Sequence, residues 1–417
     1  MSECSLQIKL CLVLFWLSLV IPAPSLLAQS FPVARFDHLN LENGLSHNYV
    51  SDMVQDEQGF IWIGTQYGLQ RFDGQEFTTF LHNPADTNTI GGNDINFLKI
   101  DHSGQLLIGL STKRGMDRYD PVTGKFIHHK LDFTLDKICL TQDGVTWLGN
   151  GTDLRYKAKE EGTFSIHPFP AHPKHSLYKE FGTYRILEDK NKTVWVGTEG
   201  GLYQVGANNS AGNWWLPCDD QYISADTTFI VYDIIEDGKS NLWLATDQGL
   251  FTKSPSQKCL VPFRTSEDEP HPLEGHPILS LVVDGSNQLW ICTQSKGIYH
   301  MNLASYDLKY IFPISDSNGE DLDTHVKLLI DRSGSVWVNT YAYGIYIYHP
   351  ETRHFQWYKK EVKQGAKPAS PIINMAFEDS KGALCLLGGE VEVNAYPDLT
   401  KETLASLGNA LVVSEAP

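Results

Sequence analysis

The sequence predicts an all-β protein, a seven-bladed β-propeller with four-stranded antiparallel blades, and three observations carry that reading. An aspartate closing an apolar run recurs at Asp56, Asp101, Asp143, Asp189, Asp237, Asp284, Asp331 and Asp379, at intervals of 42 to 48 residues. Tryptophan follows six residues later at Trp62, Trp195, Trp243, Trp290 and Trp337. Strand-like segments at a period in the forties are the mark of propeller blades. The same segments lack the 3.6-residue periodicity that a helical solenoid would need.

Each element of the repeat has its own reason. The first strand, as in "FIVYDIIED" and "ILSLVVD", is apolar and innermost. Its closing aspartate suits a turn, because the carboxylate accepts from backbone amides two residues on. The second strand, "FIWIGT", is apolar at consecutive positions, as burial between two neighbouring blades requires. Two residues past the tryptophan position stand Gly64, Gly109, Gly149, Gly197, Ala245 and Cys292, small enough to admit a neighbouring blade's bulk, with Asn339 and Leu387 departing. Thr65, Thr198, Thr246, Thr293 and Thr340 lead into a hairpin whose tight turn uses Gly68, Gly201, Gly249, Gly297 and Gly344. The third strand carries an aromatic residue (Phe72, Tyr119, Tyr156, Phe251, Tyr299), and a more polar fourth strand such as "GQEFTTFLH" ends the blade at the rim. The Asp143 repeat reads as two residues tighter, reaching Trp147, while Leu107 and Cys385 replace tryptophan in the second and eighth repeats.

At the N-terminus, Lys9, the apolar run Leu10 to Ile21, Pro22, Pro24 and "SLLAQS" with Ala28 at the cut predict a cleaved signal peptide over residues 1–28, hence a periplasmic protein. That run is short for a bilayer, and no later segment approaches eighteen apolar residues, so no membrane span is expected in this chain. A closed ring must not leave open sheet edges. Val33 to Leu41 is therefore expected to give an outer strand to the last blade, which places the propeller at 33–358. The eighth repeat, "FEDSKGALCLLGGEVEVNAY", keeps its aspartate but loses the tryptophan, the threonine and the Gly-Leu turn. Residues 359–417 then hold a degenerate eighth repeat that would begin a second propeller, with an eight-bladed ring as the alternative.

The formal charge of -17 speaks against nucleic acid or anionic lipid as partners. Cys139, Cys292 and Cys385 lie in apolar runs and read as small core residues. No CxxC spacing marks a metal or redox site. A disulfide between Cys218 and Cys259 is the lesser alternative, open to them in an oxidising compartment.

The stretch "FDHLNLENGLSHNYVSDMVQDEQGFIWIGTQYGLQRFDGQEF", with "GLSHNYV" leading into "D..G.IWIGT..GL.RFDG", resembles the periplasmic sensor region of Bacteroidetes-type hybrid two-component system regulators, built from two-component regulator propeller repeats. The resemblance runs from Phe36 to about Tyr396. It implies a glycan-sensing receptor in which two propellers and an immunoglobulin-like module precede a membrane helix, a histidine kinase, a receiver and a DNA-binding regulator. Only the sensing part finds matching residues here. The resemblance thus implies an exported ligand-sensing propeller that binds a glycan or oligosaccharide, uses no cofactor, and meets a second copy or further receptor domains.

Loops before the first strand and between the second and third face one end of a propeller, where a ligand would touch several blades. They carry Asn48, Gln66, Tyr67, Arg114, Tyr184, Glu199, Asp247, Gln248, Gln294, Lys296, Tyr341 and Tyr343. Tyrosines there could stack on sugar rings while amides and charges bond hydroxyls; a solvated turn is the plainer reading of each. "HPFPAHPKH", His167 to His175, gathers three histidines, but no carboxylate or cysteine completes a shell and no metal is expected. His128 and His129 fall on opposite strand faces. "TKRGMDR" offers guanidinium groups to a sugar acid or is a solvated turn, and Trp214 and Trp215 of "NWWLP" pack against the outer strand or make a rim contact. No GxSxG, HExxH or P-loop is present. No enzyme is expected; a propeller polysaccharide lyase or hydrolase and a periplasmic protein-interaction scaffold are the alternatives.

Overall fold

Each repeat forms a meander because its apolar strands are separated by residues that reverse the chain. The computed structural model describes residues 36–111, 115–151, 153–158, 162–174, 182–223, 229–265, 271–312, 327–340, 342–349, 373–378, 384–388 and 393–396. Seven four-stranded antiparallel sheets make seven blades. Their first strands are Val50–Gln55, Ile95–Ile100, Lys137–Leu140, Thr183–Glu188, Val231–Glu236, Ile278–Val283 and Lys327–Ile330, which open blades 1 to 7 in that order. Blade 7 takes its outer strand from the other end of the chain: Phe36–Leu39 pairs antiparallel with Ile345–Tyr348. The eighth repeat forms a separate three-stranded sheet from Ile373–Glu378, Leu384–Gly388 and Val393–Tyr396. The expected signal segment, 1–28, lies outside the described residues.

The repeated aspartate and tryptophan are one device. The indole Nε1 of Trp62, Trp195, Trp243, Trp290 and Trp337 donates to Oδ2 of Asp56, Asp189, Asp237, Asp284 and Asp331 at 2.7 to 3.1 Å. The other carboxylate oxygen caps the turn, as when Asp237 Oδ1 accepts from the amides of Lys239 and Asn241. Three residues past the aspartate the backbone is left-handed in every blade. Glycine fills that place at Gly59, Gly104, Gly144 and Gly334, but Lys192, Ser240 and Asn287 adopt φ near 60°.

Blade 3 corrects the sequence register. Thr141, not Asp143, occupies the aspartate position: its Oγ1 accepts from Val145 N and donates to Asp143 Oδ1. Trp147 therefore keeps the six-residue spacing, and the copy is not tighter. A hydroxyl is too short to reach the indole, so Trp147 Nε1 is buried without an acceptor.

The core is seven clusters, each at the seam between neighbouring blades. Trp62 packs into blade 2 beside Leu98, Leu106 and Tyr119, and Trp243 packs into blade 6 beside Leu281 and Leu289. Trp337 packs into blade 1, its ring centroid 5.9 Å from that of Phe72. Between blades 2 and 3, where Leu107 replaces tryptophan, Phe97, Phe133, Leu135 and Leu148 fill the seam. The ring closes with polar ties as well. Asn339 Nδ2 donates to Val50 O at 2.7 Å and Arg332 N to Gln55 Oε1 at 2.8 Å, which gives the departure at Asn339 its reason.

The lesser reading of the cysteines is the one the structure adopts. Cys218 and Cys259 form a disulfide that ties the segment after blade 4 to the outer strand of blade 5, beside the backbone bond Cys218 N to Leu260 O. Cys139 and Cys292 are buried free thiols. Replacing both Cys218 and Cys259 by serine is expected to lower unfolding free energy by about 2–4 kcal/mol in urea denaturation. The pair Thr141→Asp with Asp143→Ser copies the Asp-x-Ser turns of blades 6 and 7. By giving Trp147 its acceptor it is expected to raise stability by about 1–2 kcal/mol; an unchanged denaturation midpoint would refute the role assigned to the aspartate.

Candidate functional site

Antiparallel pairing sets the start of each first strand beside the turn that joins the second and third. Val50 faces Thr65, Thr183 faces Thr198, Val231 faces Thr246 and Ile278 faces Thr293. The predicted site residues within the described chain therefore share one end of the ring. Their turns are braced from within: buried Thr65, Thr198, Thr246, Thr293 and Thr340 donate Oγ1 hydrogen bonds to the carbonyls of Gly68, Gly201, Gly249, Gly297 and Gly344 at 2.7 to 3.0 Å.

At this end the structure joins some predicted residues and disperses others. A register shift in the first strands of blades 4 and 5 leaves Tyr184 and Tyr232 as bulged residues, and bulges re-aim side chains. Their rings meet edge to face, centroids 5.3 Å apart. Tyr184 Oη donates to Glu199 Oε1 at 3.3 Å. Asp247 accepts from Ile230 N at 2.8 Å and from the Gln248 side-chain amide at 3.3 Å. Burial, reinforced by Glu199, pushes the Tyr184 phenol up to about 12. Burial also raises Tyr232 and the Asp247 carboxyl. Two aromatic rings, two carboxylates and an amide gathered between blades 4 and 5 can stack on a sugar ring and accept from its hydroxyls.

The remaining described residues of that prediction stand apart from this group at the same end. Asn48 belongs to the closure of the ring: its Oδ1 accepts from Leu41 N at 3.2 Å and its carbonyl from Gly344 N at 3.1 Å. Tyr343 is half-buried against the seam between blades 6 and 7. Gln66, Tyr67 and Lys296 are exposed turn residues, and the Gln294 amide bonds Pro277 O. Arg114 and Tyr341 lie outside the described residues.

The first strands are not uniformly apolar, and the sequence reading missed what interrupts them. The residues directly opposite Gly64, Gly109, Gly149, Gly197, Ala245, Cys292 and Asn339 are Asp52, Phe97, Lys137, Arg185, Asp233, Ser280 and Lys327. Several tie one blade to the next. Asp52 accepts from Leu98 N at 3.0 Å and pairs with Lys327 Nζ at 2.6 Å. Asp233 accepts from Leu281 N at 3.0 Å and pairs with Arg185 Nε at 3.2 Å. Ser280 Oγ accepts from Leu328 N at 3.2 Å. The signal was there in "TYRILED" and "VYDIIED", where a tyrosine and a charge recur together inside an otherwise apolar strand.

At the opposite end an open groove of about 780 Å³ lies between blades 6 and 7, lined by Trp290, His300, Tyr348, Asp307, Lys309 and Arg332 among others. The Trp290 and His300 rings are 4.5 Å apart, and burial lowers the His300 pKa.

The histidine and tryptophan motifs are structural where they are described. His167 Nε2 bonds Tyr203 Oη at 2.8 Å and His172 Nε2 bonds Gly200 O at 2.8 Å, while His175 lies outside the described residues. Trp214 stacks on Phe169, and Lys253 Nζ lies 4.2 Å from the Trp215 ring centre. Among the described residues no group of His, Cys, Asp and Glu is set to hold a metal ion, and no helix is long and apolar enough to cross a membrane.

Residues 44–67 match the family described as two component regulator propeller. The fold matches the extracellular domain assigned to a hybrid two component system of B. thetaiotaomicron, at 20% identity and TM-score 0.61 over 87% of this chain and 48% of that one. A one component system's extracellular domain from the same organism matches at 22% identity and TM-score 0.60, over 88% of this chain and 46% of that one. Virginiamycin B lyase from Staphylococcus aureus also matches in fold, at 12% identity and TM-score 0.55, over 75% of this chain and 98% of that one. Histidine kinase P4 of Formosa agariphila is 44% identical over 48 residues, 12% of this chain and 4% of that protein. The resemblance drawn from the repeat is thus shown: the chain carries a two component regulator propeller repeat and has the fold of these extracellular domains. It spans about half the length of those domains.

Removing the Glu199 charge with Glu199→Gln is expected to bring the Tyr184 phenol down from about 12 toward the ordinary 10, read by NMR titration of ring-labelled tyrosine. Since the folded protein resists ionisation of Tyr184, the stability this gives is whole below pH 10 and is lost as pH rises through about 12.

Proposed function

We propose that the chain is an exported, periplasmic ligand-sensing propeller of a two-component receptor. It binds an oligosaccharide at the tyrosine pair between blades 4 and 5 and catalyses no reaction. The observation that carries this is the Tyr184–Tyr232 pair set against Glu199 and Asp247. The propeller repeat, the fold shared with extracellular domains, and a disulfide suited to an oxidising compartment support it. A cleaved signal at residues 1–28 delivers the chain, and occupancy passes to a second copy or further receptor domains as a difference in ligand affinity between two arrangements.

Calorimetric titration of the full chain against a panel of neutral oligosaccharides tests the reading. Saturable heat is expected with one of them. Tyr232→Ala should weaken it at least tenfold without loss of cooperative unfolding, while His300→Ala, in the groove between blades 6 and 7, should leave it unchanged. The reverse pattern would move the ligand to that groove. Cleavage of a polysaccharide, followed by reducing ends or unsaturated products, would make the protein a propeller enzyme instead.

A further inference from the structure

The seams between blades are not filled alike. Beside Trp62, Trp195 and Trp243, blades 1, 4 and 5 each bring an aromatic ring from the outer strand or the residue after it: Phe80, Trp215 and Phe263, with ring centroids 5.5, 5.9 and 5.0 Å away. Blade 6 does not. The register of its outer strand, Leu308–Phe312, shifts against the third strand, Ile298–Asn302, and the residue packed into the seam is Ile311. An isoleucine fills less space than those rings, and the groove of about 780 Å³ opens beside it.

Both walls of the groove are built. On blade 6, Trp290, His300 and Lys309 are paired in register across three strands, so their side chains share one face. The rings of Trp290 and His300 lie 4.5 Å apart, and Tyr348 of blade 7 lies 5.5 Å from the same indole. Arg332 lines the groove from the turn of blade 7.

The hydrogen-bonding groups of these walls are unequally engaged. Asp284 accepts from Ser286 N, Gln288 N and the Trp290 indole, and Asp331 from Ser333 N, Ser335 N and the Trp337 indole, so both oxygens of each carboxylate are taken. Asn302 Oδ1 accepts from Ala304 N and Ser305 N, and one oxygen of Asp307 from the Ser305 hydroxyl. The donors are in the opposite state. His300 and Lys309 make no hydrogen bond or ion pair with a described residue, and the Arg332 guanidinium gives one bond, to Glu57 O. Burial lowers the His300 pKa, which keeps a neutral imidazole with one N–H to donate. An ammonium, an imidazole and a guanidinium with N–H groups to spare thus face one unengaged carboxylate oxygen. The groove lacks acceptors, and an acidic ligand would supply them. The half-buried rings of His300 and Tyr348 add flat surface on which a ring can lie.

We propose that the groove between blades 6 and 7 binds a small molecule that carries a carboxylate on a ring, the acid held by Lys309 and His300 and the ring laid against His300 and Tyr348. This site stands at the other end of the propeller from the tyrosine pair and does not rest on it.

Titration of the full chain with galacturonate, benzoate, neutral galactose and acetate, at constant ionic strength, tests it. Saturable binding of galacturonate or benzoate is expected, with none for galactose or acetate at the same concentrations. Galacturonate alone saturating assigns the groove to a sugar acid, benzoate alone to an aromatic acid, and both to any ring-borne carboxylate; each supports the proposal. Lys309→Met, at an exposed position, should weaken the acid at least tenfold, while Lys125→Met, an exposed lysine of blade 2, should leave it unchanged. Ile311→Phe, which restores the ring that the other seams carry, should abolish saturation; Lys309→Met carries the test should that variant fail to fold. No saturation with either ring acid, galactose or acetate binding as tightly as they do, unchanged affinity in Lys309→Met, or an equal loss in Lys125→Met would overturn it. Tyr232→Ala should leave the acid's affinity unchanged, so this groove and the oligosaccharide site fail separately.

Discussion

The structure depends on one contact repeated around a ring: an indole N–H donated to the carboxylate of the turn six residues before it. A propeller has no single core. Its apolar surface is buried at seams between blades, and the side chain that reaches furthest across a seam is the tryptophan of the second strand. Such a ring buries on the order of 150–250 Å², but it takes a polar N–H with it. An unpaired donor in that place would cost about 1–3 kcal/mol. The aspartate removes the cost with one oxygen and shapes the turn with the other, so turn, strand and seam are fixed together.

Closure sets the second constraint. Six seams join blades that follow one another in sequence, but the seam between blades 7 and 1 joins residues some 275 to 289 positions apart. Loop entropy grows only slowly with such length, yet the seam must still be specified uniquely. Apolar packing around Trp337 supplies the area, while Asn339, Lys327 and Arg332 supply bonds that only one register satisfies. The N-terminal strand Phe36–Leu39 then covers the outer edge of blade 7, leaving no open ladder at the join.

How much of this was legible in the sequence follows from which positions repeat. The blades, the turns and the strand from the N-terminus were readable, because each is dictated by a residue type whose chemistry is local: carboxylate at a turn, glycine at a left-handed residue, threonine bracing a hairpin. Blade 3 misled for the same reason, since Asp143 stands two residues from Thr141 and either could open a turn; only the fixed reach from turn to indole separates them. The site was less legible. Tyr184, Glu199 and Asp247 were found by their place at the loop end, but Tyr232 and the first-strand charges were hidden inside strands that read as apolar. Whether a bulge turns a residue toward a neighbour or the axis is decided by pairing register, which one strand's sequence does not display.

Repetition itself separates scaffold from function. At the tryptophan position six of the seven blades agree, as the packing demands, and in five of them the turn aspartate accepts from the indole. At the first-strand position opposite Gly64 and its counterparts the seven residues are an aspartate, a phenylalanine, a lysine, an arginine, a second aspartate, a serine and a second lysine. Asp52, Phe97, Asp233 and Ser280 are buried there, and the acceptors among them bond backbone amides of the next blade, so each seam is served by its own chemistry. Where the architecture stops repeating and a side chain ties no blade to the next, the residue answers to something other than the architecture. Tyr184 and Tyr232, bulged residues whose rings meet between blades 4 and 5, are of that kind. They stand one residue before Arg185 and Asp233, so the tyrosine pair and the ion pair that joins blades 4 and 5 are built from consecutive positions of the same strands.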